Sequence, residues 1–579
     1  MQTTTCKLFS LILLFVSAIF ARSVHAQGTP ADLLKENLAV LKNIYESEYA
    51  PREWKKTYAQ WTVDSAYQSA LAAVTAHAEQ LKQNSPQAQN VVKEIIKQFI
   101  YSTKDYHVSV RFFSTESATL PFSVRSAEGR VFIAYIDRDK LPVMSFPFDV
   151  GDELLQFEGK PITEALAAVQ AQIPANIPET DRALAEMALT SRRASSGYTV
   201  PHGPVNVTVM PQGDTVAHTV QLQWNDTPEA VHYFPIQDVK HLNLGGGDVA
   251  HLPSLNMLAY GSDQDRVYLK ASNPFALGAR KSFVPPLGPK LWQTDDSNTF
   301  DAYLYKTEDR KLIGVVRIPE YHLDDEDYPK AVLDFAKIID YFQDNADALV
   351  IDQVNNPGGS VPYLYMLASM LAAEPLQTPK HRMSLVQADV QEAIENLNAL
   401  NAVTDDATAK KVLGSNWNGY LVSYQLALFQ RNSSRFIIDQ WNAGKRLTDP
   451  YYIAGVDRIN PNPAFNFTKP ILVLVNELCF SGGDFFPAIL QDNHRATVMG
   501  VRTAGAGGYV HDVSFPNLLG ISSVRVTESI AERVDLNPIE NLGVKPDVEY
   551  TLKVSDLQNH FASYRQAIRA AVEGMVKAP

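Results

Sequence analysis

Ser481 and the glycines at 358, 359 and 482 are the residues whose types and settings could do nucleophilic chemistry. Ser481 lies in ILVLVNELCFSGGDFFPAILQDN, residues 471 to 493. Residues 471 to 475 form an unbroken apolar run, as in a strand buried on both faces, and Phe485, Ile489 and Leu490 share one face of a helix after it. A serine at such a turn presents its hydroxyl beside the Gly482 N–H at the positive end of the helix, where an oxyanion can be held. The same local pattern fits a serine that only caps the helix, and taken alone it favours the cap. In ALVIDQVNNPGGS, Gly358 and Gly359 sit between a buried strand and a helix; they make either an ordinary turn or a close backbone approach that supplies a second amide donor.

A serine hydroxyl is a weak nucleophile without a base. His107, in YSTKDYHVSVRFF, stands at a helix-to-strand junction; on its own it reads as a structural histidine. His322, His494 and His511 are fallback bases, His511 the nearest rival. Glu540, in the irregular segment NPIENLGVKPDVEY (residues 537 to 550), has Glu528, Glu532 and Asp535 as neighbouring carboxylates. Cys479 is two residues from Ser481, and its place at a strand end marks it as a buried structural thiol. Asp484 orients the turn or caps the helix. There is no HExxH, no cysteine pair and no close His/Asp cluster at ligand spacing, so neither a metal nor a cofactor is expected.

These residues need elements to hold them. Residues 27 to 115 read as a helical region ending in the alternating strand Val108, Val110, Phe112. Residues 116 to 225 change to short strands. Within them FPFDVGDELLQFEGKPITEAL (146 to 166) reads as strand, Gly159-Lys160 turn and helix, the order of a PDZ-like domain that adds a peptide strand to a sheet edge. Residues 226 to 300, with Gly245-Gly246-Gly247 and Pro285-Pro286, read as an irregular linker, and 238 to 290 as an accessible activation segment cut by the enzyme itself. From 301 to 579 strands alternate with helices as in an α/β domain, with a helical insertion at 386 to 445 and a closing helix near 557 to 577.

Residues 1 to 26 have the form of a cleaved secretory signal: Lys7, an apolar stretch from Leu8 to Phe20, and Val24-His25-Ala26. The expected location is therefore periplasmic or extracellular, with no stable membrane insertion. Losing Lys7 and Arg22 would take the formal charge from −13 to −15, which argues against nucleic acid as a partner. Cys6 leaves with the leader, so no intramolecular disulfide is expected.

NELCFSGGDFFPAILQDNHRATVMGVRTAG, IDQVNNPGG and ENLGVKPDV, in this order, resemble the nucleophile, oxyanion and closing motifs of the carboxyl-terminal processing (tail-specific) serine proteases. KDYHVSVRFF and DQVNNPGGSVPYLY make the resemblance closest to the chlamydial protease-like activity factor branch. It implies a crotonase/ClpP-like α/β core with an N-terminal helical region and an inserted PDZ-like domain. It also implies a serine endopeptidase acting on proteins or peptides, and a homodimer. Most of the family pairs its serine with a lysine about 25 residues downstream; here Ala506 falls at that place, and no lysine lies between Ser481 and Lys545. The branch's Ser–His–Glu set maps onto Ser481, His107 and Glu540, with Gly482 and Gly358 or Gly359 as oxyanion donors. The missing lysine also fits a different reading, an inactive protein that binds peptides or other ligands on the same scaffold.

Overall fold

The apolar runs at 348 to 352 and 471 to 475 are neighbours in the centre of one sheet, which explains why every residue in both is buried. In the computed structural model, residues 29–230 and 272–576 are described. The expected signal at 1 to 26, the three glycines at 245 to 247 and the part of the activation segment before 272 lie outside them.

The central sheet has seven strands in the order Lys290–Gln293, Ala302–Lys306, Leu312–Arg317, Ala348–Asp352, Ile471–Val475, Thr497–Gly500, Val548–Glu549. The first three are antiparallel; from Leu312–Arg317 onward all neighbours are parallel. Side chains alternate across a strand, so Ile471, Val473 and Val475 face one layer while Leu472 and Leu474 face the other. The first layer holds Phe335 and Phe342 of the helix Tyr328–Asn345, Leu364 and Leu367 of Val361–Ser369, and Phe485, Phe486 and Ile489 of Gly482–Asp492. The second holds Ile568 and Val572 of the closing helix Ala562–Met575, together with Phe275 and Phe283. Residues 387 to 442 supply three helices, Gln387–Leu400, Asp406–Leu413 and Tyr424–Asn442.

The stretch 272 to 290 departs from an accessible segment. Phe275, Leu277, Ala279, Phe283 and Leu287 are buried. Its backbone is also tied to the core: Asn355 Nδ2 donates to the Phe275 carbonyl at 3.0 Å and Gly278 N–H to the Asn355 carbonyl at 2.9 Å. Aromatic and aliphatic residues spaced along Pro- and Gly-containing chain carry little periodicity, which is why the packing was not evident from the sequence.

The sheet of the PDZ-like domain runs Phe122–Ala127, Arg130–Ile136, Glu153–Phe157, Pro204–Met210, His218–Gln223, all antiparallel, with helices Ile162–Gln170 and Pro178–Thr190. The N-terminal helices Pro30–Ser47, Val63–Ala76 and Pro86–Tyr101 begin at Thr29, Thr62 and Ser85, whose hydroxyls cap the first turn. Their apolar faces pack on Ile521, Val524 and Val526. The strand after them, Ser109–Phe112, pairs antiparallel with Ile521–Thr527, Ser109 opposite Arg525. That pairing carries residue 107 into the carboxyl-terminal half.

Candidate active site

Parallel neighbours in an α/β sheet deliver the loops after their carboxyl ends to one place, and here these loops are residues 353 to 360 and 476 to 481. They are laced together. Asn355 N–H donates to Asn476 Oδ1 at 2.8 Å, Asn476 Nδ2 returns a bond to Asn355 Oδ1 at 2.7 Å, and Phe480 N–H reaches the Asn356 carbonyl at 2.9 Å. The Cys479 thiol is buried and donates to the Gln353 carbonyl at 3.1 Å; burial pushes it up to about 12. It is a structural thiol, not a thiolate.

Ser481 occupies the N-cap position of Gly482–Asp492, yet its side chain makes no capping bond. Its backbone is in the left-handed half of conformational space, φ 54° and ψ −115°, unusual for a residue with a side chain. Ser481 is half-buried rather than sealed in. Gly358 meets it closely: a Cβ there would lie 2.6 Å from Ser481 Cβ and 2.7 Å from Gly482 N. Gly358 N–H is already given to Asn356 Oδ1 at 2.8 Å. Gly359 N lies across from Gly482, 3.3 Å from where a Gly482 Cβ would stand.

Downstream, the loop bearing Ala506 is pinned by Asp484, whose buried carboxylate accepts from Thr503 Oγ1 at 2.5 Å, Gly505 N–H at 2.9 Å and Ala506 N–H at 3.1 Å. Burial pushes Asp484 up to about 7, against those donors. Ala506 is itself buried and brings no cation. The next residue, Gly507, donates its N–H to Glu540 Oε2 at 3.0 Å.

Glu540 is fully buried, and its other oxygen lies 2.5 Å from the ammonium of Lys55. Lys55 belongs to the short helix Arg52–Ala59 and also donates to Asn541 Oδ1 at 2.7 Å and the Lys104 carbonyl at 2.9 Å. His107 and Asp105 complete the cluster: a ring nitrogen of His107 and carboxylate oxygens of Asp105 and Glu540 lie within 4.8 Å of one another. The cation position beside Glu540 is taken by Lys55. Asp105 receives His107 N–H at 2.8 Å, the Tyr49 hydroxyl at 3.0 Å and the Thr527 hydroxyl at 2.9 Å. Burial lowers His107 to about 4, with Arg525 and Lys55 adding to it and Asp105 opposing. Burial and Asp105 raise Glu540 to about 8, against the pull of Lys55 and Gly507 N–H. The residues preceding His107 and Ser481 touch: the rings of Tyr106 and Phe480 meet edge to face at 5.8 Å.

The other candidates are engaged elsewhere. His511 bridges Glu48 and Glu528 at 3.1 and 2.7 Å; burial opposes its charge, but those bonds raise it to about 10, so it is a cation at neutral pH. Glu532 pairs with Arg382 at 2.7 Å, and Asp535 is an exposed turn residue bonded to Asn537. His494 ends the helix after Ser481 and lines a surface cavity of about 940 Å³, together with Lys469 and Arg533. His322 sits beside the glycine loop, its backbone N 2.3 Å from where a Gly359 Cβ would stand. Sequence reasoning missed Lys55 and Asp105. Asp105 had a signal, two residues before His107; Lys55, on a strongly polar helix, had none.

The PDZ domain reaches the same place. Arg125 is buried, bonded to Glu477 and 3.4 Å from Glu186, and Thr180 Oγ1 donates to the Glu477 carbonyl at 2.9 Å. Asp181 accepts the Tyr106 hydroxyl at 2.6 Å. Thus the helix Pro178–Thr190 holds both the chain before Ser481 and the chain before His107.

The PDZ domain family model matches residues 116–232 and that of peptidase family S41 matches residues 312–550. A protein of Chlamydia muridarum (strain MoPn / Nigg) is 35% identical over 604 residues, spanning 98% of this chain and 97% of its own. One from Chlamydia trachomatis serovar D is 33% identical over 610 residues, 98% of this chain and 96% of its own. The crystal structure of mature CPAF is 32% identical with a TM-score of 0.79, covering 94% of this chain and 98% of its own; mature CPAF complexed with lactacystin matches equally, with 99% of its chain covered.

Proposed function

The chain belongs to peptidase family S41, as a serine peptidase with a PDZ domain, and we propose that it is an exported endopeptidase with a Ser481–His107–Glu540 triad. Ser481 Oγ attacks the scissile carbonyl carbon while His107 takes its proton. The tetrahedral oxyanion is held by the N–H groups of Gly482 and Gly359; Gly359 is preferred because the Gly358 N–H is already bonded to Asn356. The intermediate collapses as His107 returns the proton to the leaving amine, which leaves an acyl-enzyme. Water, deprotonated by His107, then releases the acid. Glu540 stabilises the imidazolium formed in each half. Burial keeps His107 neutral at rest, the form a base needs.

The observation that carries the reading is Ser481 itself: a serine at φ 54°, at a helix N-terminus, whose side chain makes no capping bond. A serine present only for capping would spend its hydroxyl on the helix amides. Protein or peptide substrates follow from the reaction, and the exposed strands of the PDZ sheet suit an extended chain. Among the described residues no helix is long and apolar enough to cross a membrane.

The test is labelling by a fluorophosphonate and degradation of casein, with wild type, Ser481→Ala, His107→Ala and Glu540→Gln compared after their folding is checked by circular dichroism. Label and cleavage are expected in wild type, and neither in Ser481→Ala. Labelling that persists in Ser481→Ala removes the nucleophile; full activity in His107→Ala removes the base.

A further inference from the structure

Lys55 is the cation beside the buried cluster, and the triad leaves its purpose unexplained. Its side chain has no exposure, and neither has that of Glu540. A lysine is almost never fully buried without a partner, and all three partners here lie around the triad: Glu540 Oε1 at 2.5 Å, Asn541 Oδ1 at 2.7 Å and the carbonyl of Lys104 at 2.9 Å. Asn541 is in turn held by its Nδ2 donating to the same Lys104 carbonyl at 2.6 Å and by Trp54 Nε1 at 3.0 Å. The ammonium therefore ties the segment carrying Glu540 to the segment that leads, through Asp105, into His107.

The charge balance calls for such a cation. Two carboxylates, Asp105 and Glu540, share the cluster with His107. Asp105 is served by Tyr49, Thr527 and the His107 N–H. Among the described residues, Glu540 has the Gly507 N–H on one oxygen and only Lys55 on the other. The remaining charge felt by His107 is Arg525, which is paired with Asp512. A buried carboxyl beside a second carboxylate takes up a proton, and a protonated Glu540 cannot stabilise an imidazolium. Ala506, next to Gly507, is buried and brings no cation of its own.

We propose that Lys55 is a positioning residue of the peptidase, its ammonium favouring the carboxylate form of Glu540 and holding it in place toward His107, so that the N-terminal helix Arg52–Ala59 is part of the active site. The inference rests on the Ser481–His107–Glu540 reading. In that reading the acid limb of kcat/KM reports Glu540, and removing an opposite charge at this distance moves a pKa by about one unit or more.

The experiment is the pH profile of kcat and KM on a fluorogenic peptide for wild type, Lys55→Met and Lys55→Gln. Gln keeps a donor without the charge, and serves if Met does not fold. Expected is an acid limb moved up by at least about one pH unit. The loss is then about tenfold or more in kcat at neutral pH, with KM within about twofold, and recovers as the pH is raised. An unmoved limb, or a loss equal at all pH values, overturns the proposal. The infrared difference between wild type and Glu540→Gln at about pH 9 gives a second reading. A carboxylate stretch is expected, and an acid carbonyl stretch overturns it, whether or not the Lys55 variants fold. If Glu540→Gln is as active as wild type, the triad reading itself fails; if it is inactive while both Lys55 variants keep the wild-type profile, only the role of Lys55 fails.

Discussion

Gly358→Ala tests the geometry of the nucleophile turn more sharply than any change to the nucleophile. The residue is at φ 93°, where an L side chain costs about 1–2 kcal/mol. The new methyl would stand 2.6 Å from Ser481 Cβ, 2.7 Å from Gly482 N and 2.7 Å from the Phe480 carbonyl oxygen. Ordinary carbon contacts lie at about 3.5–4.0 Å, so the two loops must part by about 1 Å. Two of the three neighbours are backbone, and the adjoining segment is bonded to Asn356 and packed on Tyr106, so no flexible side chain absorbs the shift. A misplacement of about 1 Å costs about 10²-fold in rate, and a methyl over Gly482 N–H removes an oxyanion donor at about 10²–10³-fold. These overlap, so the expected fall in kcat is about 10²–10⁴-fold, with the fold retained. The assay is kcat and KM on a fluorogenic peptide together with the second-order rate of fluorophosphonate labelling. Both should fall together while the circular dichroism spectrum is unchanged. A variant labelled within about threefold of wild type would refute the idea that Gly358 sets the approach to Ser481.

Other outcomes follow from the same contacts. His511→Gln should keep most of the peptidase activity but lose a pH-dependent part of stability. His511 is raised to about 10, so its contribution is whole below about pH 6.5, its unfolded value, and fades as pH rises toward 10; thermal melts from pH 6 to 10 would read this, and a dead but folded variant would make His511 the base. Arg125→Met leaves the buried Glu186 and the partly buried Glu477 without their cation, at about 3–5 kcal/mol. Denaturant melts should show a clear loss and kcat should fall with it, since Glu477 precedes the nucleophile; a change below about 0.5 kcal/mol would rule out the PDZ grip as a structural element. Native enzyme should resist iodoacetamide and keep its activity, because burial pushes Cys479 up to about 12; inactivation by the reagent would point to a thiol nucleophile.

What the sequence by itself determined is local. The run 471 to 475 is apolar at every position because both of its faces are covered, and it folds as that strand. The turn at Ser481, the glycines at 358 and 359 and the helix Tyr328–Asn345 are set by spacing and by residue type within a few positions. The missing downstream lysine could also be read directly, and it demanded another base. What only the tertiary structure decided is which distant charges share one buried space. Lys55 stands on a helix whose composition marks it for solvent, yet it meets a glutamate 485 residues away. His511 stood as the nearest rival to His107 until Glu48 and Glu528 were seen on either side of it. The protonation of a side chain depends on burial and on neighbouring charge, and neither quantity belongs to the chain until strand Ser109–Phe112 has paired with Ile521–Thr527.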